Sequence, residues 1–198
     1  MEYITHSLIE KSDALAIVQR LKVEKSSWQD GKNTAGSHAA KIKNNSQLDK
    51  ESKLSIEIED LVVNKIISNP LLKSFTLPSL IHGVMFSKTL AGDGYGIHID
   101  NPYMPSGRSD LSFTLFLNEP EDYQGGELCI QTISKTEEIK LSAGEIIIYP
   151  STQLHSVAKV VEGERYVCVG WIQSYIQNNE DRNFLFGLDA GAKGLLAK

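Results

Sequence analysis

Cysteine is scarce: the 198 residues contain two, Cys129 and Cys168, far apart and forming no Cys-x-x-Cys pair. A paired-cysteine site is thereby excluded, and buried free thiols in a reducing compartment are expected, since both fall in strand-like runs. No apolar run approaches the length of a membrane span. Glu2, His6 and Glu10 interrupt any signal-peptide core, so a cytoplasmic location and no membrane partner are expected. Basic charge is also in deficit. Lys and Arg number 20 against 25 Asp and Glu, for a net charge of −5. A chain this acidic, with no basic stripe, argues against nucleic acid as the main partner. There is no internal repeat and no low-complexity tract.

What remains is the composition of an ordinary globule, 41% apolar and 23% charged, long enough to bury a full core as one domain over residues 1–198. Residues 1–79 read as a helical cover with a polar loop. Ala14, Ile17, Val18 and Leu21 recur at helical spacing, with Ser12 available as N-cap. Residues 26–50 are polar and expected to form a loop. A second helix is expected over Leu54–Ser68, with Ile58, Leu61, Val62 and Ile66 as its apolar face and Pro70 as its stop.

From residue 80 the period changes to that of strands. Eight are expected: Ile81–Leu90, Tyr95–Ile99, Asp110–Leu117, Glu127–Gln131, Glu137–Leu141, Glu145–Tyr149, His155–Val161 and Arg165–Gln173. Gly and Pro punctuate them. The reading is a mainly β fold with flanking N-terminal helices, a jelly roll whose catalytic core spans 80–175, followed by a C-terminal tail over 176–198.

Within that frame one pattern carries chemistry. His98 and Asp100 are separated by a single residue, Ile99. On a strand, i and i+2 point to the same side, so both can reach one metal ion. His155, opening a later strand, can supply a third ligand. Two imidazoles and one carboxylate occupy one face of an octahedron and leave adjacent positions open, the ligand set of non-haem Fe(II) oxygen chemistry. His-x-Asp alone is weak evidence: it arises by chance about a quarter of the time with this many His and Asp. The later His and the Arg that follows it raise the specificity.

Arg165 shares a strand face with Val167, Val169 and Trp171. A guanidinium among apolar neighbours is costly unless paired. A dicarboxylate co-substrate resolves that cost, because Arg offers a planar fork. Pairing with Glu162 or Glu164 at a strand edge is the plainer alternative. Ser112 and Thr114 share a face and are candidates to add hydroxyl donors to the same carboxylate. His6 and His82 are expected to be structural or surface residues, and His38 a surface residue. Arg108 is a weaker candidate for the site mouth.

The chain resembles the PKHD-type hydroxylases, the bacterial prolyl/lysyl-hydroxylase-like Fe(II)- and 2-oxoglutarate-dependent oxygenases. The resemblance runs through Trp28-Gln29-Asp30-Gly31, Thr34-Ala35-Gly36 and Lys43-Asn44-Asn45. It continues in Tyr95-Gly96-Ile97-His98-Ile99-Asp100-Asn101, Arg108-Ser109-Asp110-Leu111-Ser112, Asp122-Tyr123 and Gly125-Gly126-Glu127-Leu128. Tyr149-Pro150-Ser151, Leu154-His155, Trp171-Ile172-Gln173-Ser174 and Leu185-Phe186 complete it. It implies a distorted double-stranded β-helix, with His98, Asp100 and His155 as iron ligands and Arg165 as the 2-oxoglutarate carboxylate binder. It further implies O2 as oxidant, a link to ascorbate, and hydroxylation of a small-molecule or peptidyl substrate. One departure stands out: relatives commonly carry Tyr about nine residues before the first His, where this chain has Lys88 and Thr89. Two other readings keep the residues but change the function. One is a cupin-like metal enzyme that makes no use of 2-oxoglutarate; the other is a jelly-roll module that binds a ligand without turnover.

Overall fold

The computed structural model describes residues 3–24, 27–34 and 41–196. Helices α1 (Lys11–Val23), α2 (Lys53–Ser68) and α3 (Pro70–Thr76) precede most of the strands. α1 buries Ala14, Ile17, Val18 and Leu21, the expected stripe, but its N-cap position is Glu10 rather than Ser12, which lies inside the first turn. α2 buries Leu54, Ser55, Ile58, Val62 and Ile66. Leu61 turns outward and is 39% exposed, because the buried stripe is narrower than a four-residue apolar face. Pro70 does end α2, yet it also starts α3: Asn69 caps the new helix by accepting from the amides of Leu71 and Leu72, and proline suits the first helical position.

The strands are β1 (Ile4–Ser7), β2 (Trp28–Asp30), β3 (Lys43–Asn44), β4 (Ser46–Leu48), β5 (Pro78–Leu90), β6 (Gly94–His98), β7 (Tyr103–Met104), β8 (Gly107–Arg108) and β9 (Leu111–Phe116), followed by β10 (Tyr123–Gly125), β11 (Leu128–Gln131), β12 (Thr136–Ile139), β13 (Glu145–Pro150), β14 (His155–Val157) and β15 (Val160–Ser174). A large sheet runs β1-β13-β9-β15-β5-β4-β2, with β10 also on β15. A smaller sheet runs β12-β11-β14-β6-β3, and β7 and β8 form a separate hairpin. The large and small sheets make a double-stranded β-helix.

Period-two alternation sends each inner strand to two cores. From β9, Leu111, Phe113 and Leu115 join the core under the helices, as do Ile146 and Ile148 from β13 and Tyr166, Cys168 and Ile172 from β15. Their neighbours Phe116, Ile147, Tyr149 and Val167 pack with Leu128, Ile130 and Ile139 of the small sheet. At ~25 cal/mol per Å² of apolar area, each such aliphatic side chain contributes about 1.5–3 kcal/mol. Cys168 is fully buried and Cys129 half-buried, both as free thiols.

Three expectations are corrected. The 26–50 segment is not simply a loop, since β2, β3 and β4 arise from it and pair with β4, β6 and β5 respectively. The strand expected over His155–Val161 breaks after Val157, and Val160 already belongs to β15. Gly163 is then a left-handed kink inside β15 (φ +81°) rather than a turn between strands, and a side chain there would strike the Asp122 carbonyl. The tail over 176–198 contains an 18-residue helix, α4 (Asn179–Leu196). His38 and Ala35-Gly36 lie outside the described residues. Among the described residues, no helix is long and apolar enough to cross a membrane.

Candidate active site

β6 and β14 are neighbours in the small sheet, and their register sets His155 directly opposite His98. The two rings lie 4.2 Å apart, centroid to centroid. Asp100 follows β6, where its amide donates to the Ser151 carbonyl. One ligand atom from each of His98, Asp100 and His155 falls within 4.8 Å of the others. Nε2 of His98 is 3.8 Å from Asp100 Oδ1, and Nε2 of His155 is 3.9 Å from Oδ2.

The tautomers follow from the partners. His98 Nδ1 lies 2.7 Å from the Gly96 carbonyl and His155 Nδ1 lies 2.9 Å from the Gln153 carbonyl. A carbonyl only accepts, so each Nδ1 carries the hydrogen and each Nε2 presents its lone pair to the shared centre. Burial, reinforced by neighbouring His155, lowers the His98 pKa to about 4, which keeps the ring in its neutral, ligating form. Ser112 Oγ donates to Asp100 Oδ2 at 2.5 Å and lies 2.8 Å from Ser151 Oγ. The donor set fits a divalent cation: two neutral nitrogens and one carboxylate converge, and outer hydrogen bonds orient all three.

Arg165 lies in the same cavity, of about 1000 Å³, together with Val167, Val169 and Trp171. It is 3% exposed. Its guanidinium sits 5.4 Å from the Phe116 ring centroid, and its Nε is buried with no hydrogen-bond partner. Burial pulls its pKa down. Glu164, the plainer partner, instead accepts from Tyr166 Oη. The guanidinium meets the Tyr123 phenol, but a desolvated guanidinium with Nε left unpartnered inside a cavity still fits a carboxylate ligand.

The remaining candidates divide. Ser112 is engaged by Asp100 rather than turned to Arg165. Thr114 lines the cavity and hydrogen-bonds Tyr149. Arg108 is a tie, not a mouth residue: it grips Asp110 through two nitrogens at 2.7 and 2.8 Å and donates to the Ser174 carbonyl. His82 is buried between Ser106 Oγ and the Arg108 carbonyl, and His6 meets Asn69. Thr89 lies opposite Arg165 on β5 and faces the cavity, whereas the Lys88 amine stacks on Trp28. Thr89 therefore stands on the cavity wall without a phenol.

Several cavity residues stood in the quoted motifs without a role at the site. Tyr149 is buried on the cavity side of β13, where the alternation Ile147, Tyr149 was there to be read. Tyr95 stacks on His98 at 3.7 Å, and burial pushes its phenol up to about 12. Lys43 stood in the Lys43-Asn44-Asn45 motif with no role assigned to it; it reaches the cavity through the pairing of β3 with β6.

A double-stranded β-helix with two imidazoles and one carboxylate converging at its cavity defines the class of non-haem Fe(II) oxygenases. Comparison with known proteins agrees. The profile of the 2OG-Fe(II) oxygenase superfamily matches residues 84–173. A PKHD-type hydroxylase of Prochlorococcus marinus strain NATL1A is 83% identical over 198 residues, covering 100% of this chain and 90% of the relative. Another, from strain NATL2A, is 81% identical with the same coverage. The fold is similar to a prolyl hydroxylase of Trichoplax adhaerens solved with a hypoxia-inducible-factor peptide (TM-score 0.64, 18% identity, 93% of this chain and 86% of that one). It is also similar to a Pseudomonas putida prolyl-4-hydroxylase (TM-score 0.60, 17% identity, 88% and 94%). The chain belongs to the PKHD-type hydroxylases of the 2OG-Fe(II) oxygenase superfamily and is an oxygenase enzyme. The reading as a ligand-binding module without turnover is set aside.

Proposed function

We propose that His98, Asp100 and His155 hold the Fe(II), that Arg165 receives the distal carboxylate of 2-oxoglutarate, and that the chain hydroxylates an unactivated C–H bond of a peptidyl or amino-acid-like substrate. The observation that carries this is the pairing, in one cavity, of a converging His-Asp-His set with a buried guanidinium lacking a partner at Nε. When bound, iron and 2-oxoglutarate supply oxygen activation: O2 and the co-substrate are consumed, succinate and CO2 are released, and one oxygen atom ends in the product hydroxyl.

The chain's own residues do the positioning. The Gly96 and Gln153 carbonyls aim the imidazoles, and Ser112 holds the carboxylate. Phe116, Val167 and Val169 keep water from the guanidinium, so its attraction for a carboxylate is stronger than in solvent. Thr114, through Tyr149, lies on the same cavity wall and supports the co-substrate end. Residues 1–198 act as one catalytic domain, and ascorbate maintains the iron in its ferrous state. The acidic charge and free thiols favour the cytoplasm as the place of action.

The test is anaerobic titration of the protein with Fe(II) and 2-oxoglutarate, following the metal-to-ligand charge-transfer band. Wild type is expected to give the band and Asp100→Ala to lose both it and turnover. Robust substrate-dependent succinate release by Asp100→Ala would overturn the ligand assignment.

A further inference from the structure

The hairpin β7–β8 belongs to neither sheet of the β-helix: Tyr103 pairs with Arg108 and Met104 with Gly107 in a two-stranded ladder of their own. Yet Pro102, Met104, Pro105 and Ser106 line the cavity. An isolated hairpin has little stability, so its place as a cavity wall depends on what holds it. Its base is tied by Arg108, whose amide donates to Gln173 Oε1 and whose guanidinium grips Asp110. Its tip is tied by His82, with Nδ1 2.8 Å from Ser106 Oγ and Nε2 3.1 Å from the Arg108 carbonyl. Among the described residues, the Ser106 contact is the tip's one side-chain hydrogen bond to the rest of the fold.

His82 is aimed there by a bulge. In an unbroken strand it would share a face with Val84 and Phe86, which are buried under the helices. Against β15, however, Met85 lies opposite Val169 and His82 opposite Trp171, so β5 spends one residue more than its partner. Gly83, with φ +63°, supplies the left-handed conformation that such a bulge takes. The extra residue moves His82 to the side of Trp171, whose ring centroid is 6.4 Å from its own. Trp171 lines the cavity. The imidazole is 6% exposed, and a Cβ on Gly107 would lie 3.1 Å from its Nε2, so the hairpin is seated directly on it.

The Arg108 carbonyl only accepts, so Nε2 carries a hydrogen. In a neutral imidazole the other nitrogen then accepts, and the Ser106 hydroxyl is its donor. With that hydrogen committed, Ser106 presents lone pairs to the cavity. The rim beside it is apolar: Pro102, Met104 and Pro105, with Ile97 and Ile99 exposed by 58% and 52%. We propose that His82 is a positioning residue for the hydroxylation, fixing the β7–β8 wall and orienting Ser106 to accept a hydrogen bond from a backbone amide of a polypeptide substrate whose apolar side chains cover the rim. This deepens the function proposed above and rests on the cavity being the site of reaction. A peptide backbone brings one N–H per residue between its side chains, which suits a single oriented acceptor set in an apolar rim. A free amino acid brings an ammonium instead, and no residue from Pro102 to Ser106 carries a carboxylate to receive it.

The test uses the protein loaded with Fe(II) and 2-oxoglutarate without oxygen, with the charge-transfer band recorded throughout. The probes are acetyl-Leu-X-Leu-amide peptides in which X is each of the twenty amino acids, the same peptides with each backbone amide N-methylated in turn, and the twenty free amino acids. Calorimetry reads binding, and peptide mass after oxygen is admitted reads hydroxylation. At least one peptide is expected to bind and to gain one oxygen atom. Methylation of one of its amides is expected to weaken binding about ten-fold, the loss of one hydrogen bond. Ser106→Ala is expected to lose that sensitivity. So is His82→Gln, which keeps a nitrogen donor for the Arg108 carbonyl but no acceptor for Ser106. His82→Asn, which keeps an oxygen in the place of Nδ1, is expected to retain it. 2-Oxoglutarate affinity should stay within two-fold in all three variants, and their thermal midpoints report that the fold is intact. The imidazole nitrogen resonances of wild type should place the His82 hydrogen on Nε2. With the band present, the proposal is overturned if no peptide binds, including the case in which only free amino acids do, or if no single methylation matters. It is equally overturned if His82→Gln keeps the sensitivity, if His82→Asn loses it, or if the hydrogen is on Nδ1. Absence of the band in wild type overturns the underlying metal and co-substrate assignment, and this proposal with it. A merely structural His82 would shift the thermal midpoint in both of its variants without separating Gln from Asn in peptide binding.

Discussion

Ser112 Oγ donates a 2.5 Å hydrogen bond to Asp100 Oδ2. A carboxylate only accepts, so the hydroxyl hydrogen of Ser112 is committed, and the 2.8 Å contact with Ser151 Oγ is one in which Ser151 donates. The result is a directed chain from Ser151 through Ser112 to the carboxylate, closed by the Asp100 amide on the Ser151 carbonyl. Ser112→Ala is expected to lower Fe(II) affinity by roughly 10–100-fold, the usual cost of removing a group that orients a metal ligand. Competition with a chromogenic chelator measures it. Unchanged affinity would show that Asp100 is held by its backbone alone.

Arg165→Ala is expected to weaken 2-oxoglutarate binding by about 3–5 kcal/mol, because it strands an anion in a buried site. Arg165→Lys should recover only part of that, since an ammonium lacks the planar fork. The charge-transfer titration reads both variants. Wild-type affinity in Arg165→Ala would remove the residue from this role.

Gly83 has φ +63°, and a Cβ there would lie 2.6 and 2.7 Å from two atoms of the Trp171 ring. The indole lies close against the backbone at this point because there is no side chain in the way. Gly83→Ala is expected to cost about 1–3 kcal/mol from overpacking, with left-handed strain in addition. Trp171→Val removes the clash but not the strain, so the double variant should lose less than the sum of the two singles. Strict additivity in denaturant melts would mean that ring and glycine do not interact.

Lys43 also makes stability depend on pH. Burial lowers its pKa from 10.5 to about 8, with Asp100 and Asp30 opposing the shift. Below pH 8 the native state holds a charged, desolvated ammonium and carries the full penalty. Between pH 8 and 10.5 the unfolded chain binds a proton that the native chain has released, so stability rises with pH. In metal-free protein, wild type should therefore gain on Lys43→Met across that window by about 3 kcal/mol, the equivalent of the shift at 1.36 kcal/mol per unit. Urea unfolding at pH 7 and at pH 10.5 checks this; a constant difference between the two proteins contradicts it.

Local periodicity settled more of this molecule than its long-range pairing did. The i, i+2 rule put Arg165 in line with Val167, Val169 and Trp171 on β15; for His98 and Asp100 the spacing pointed to one shared centre, although β6 ends at His98 and Asp100 reaches that centre from the segment that follows. The helical spacing of α1 and the inner face of α2 were legible for the same reason: a period depends on neighbours a few residues away. So was the strand character of β5, β9 and β13, where branched and aromatic residues repeat.

What a distant partner decides was not legible. His155 was named as the third ligand from its place at the head of a later strand, but what sets it opposite His98 is the register of β14 on β6, which no spacing gives. Lys43 entered the cavity because two residues of a polar segment form an edge strand on Tyr95 and Gly94, and a two-residue strand has no period to read. Ser112 turned to Asp100 instead of Arg165 because the position of the carboxylate follows from a sheet-to-sheet contact. Sequence spacing settles which side of a strand a group occupies; which other group meets it depends on register and packing between segments many residues apart, and those are determined only when the whole core closes.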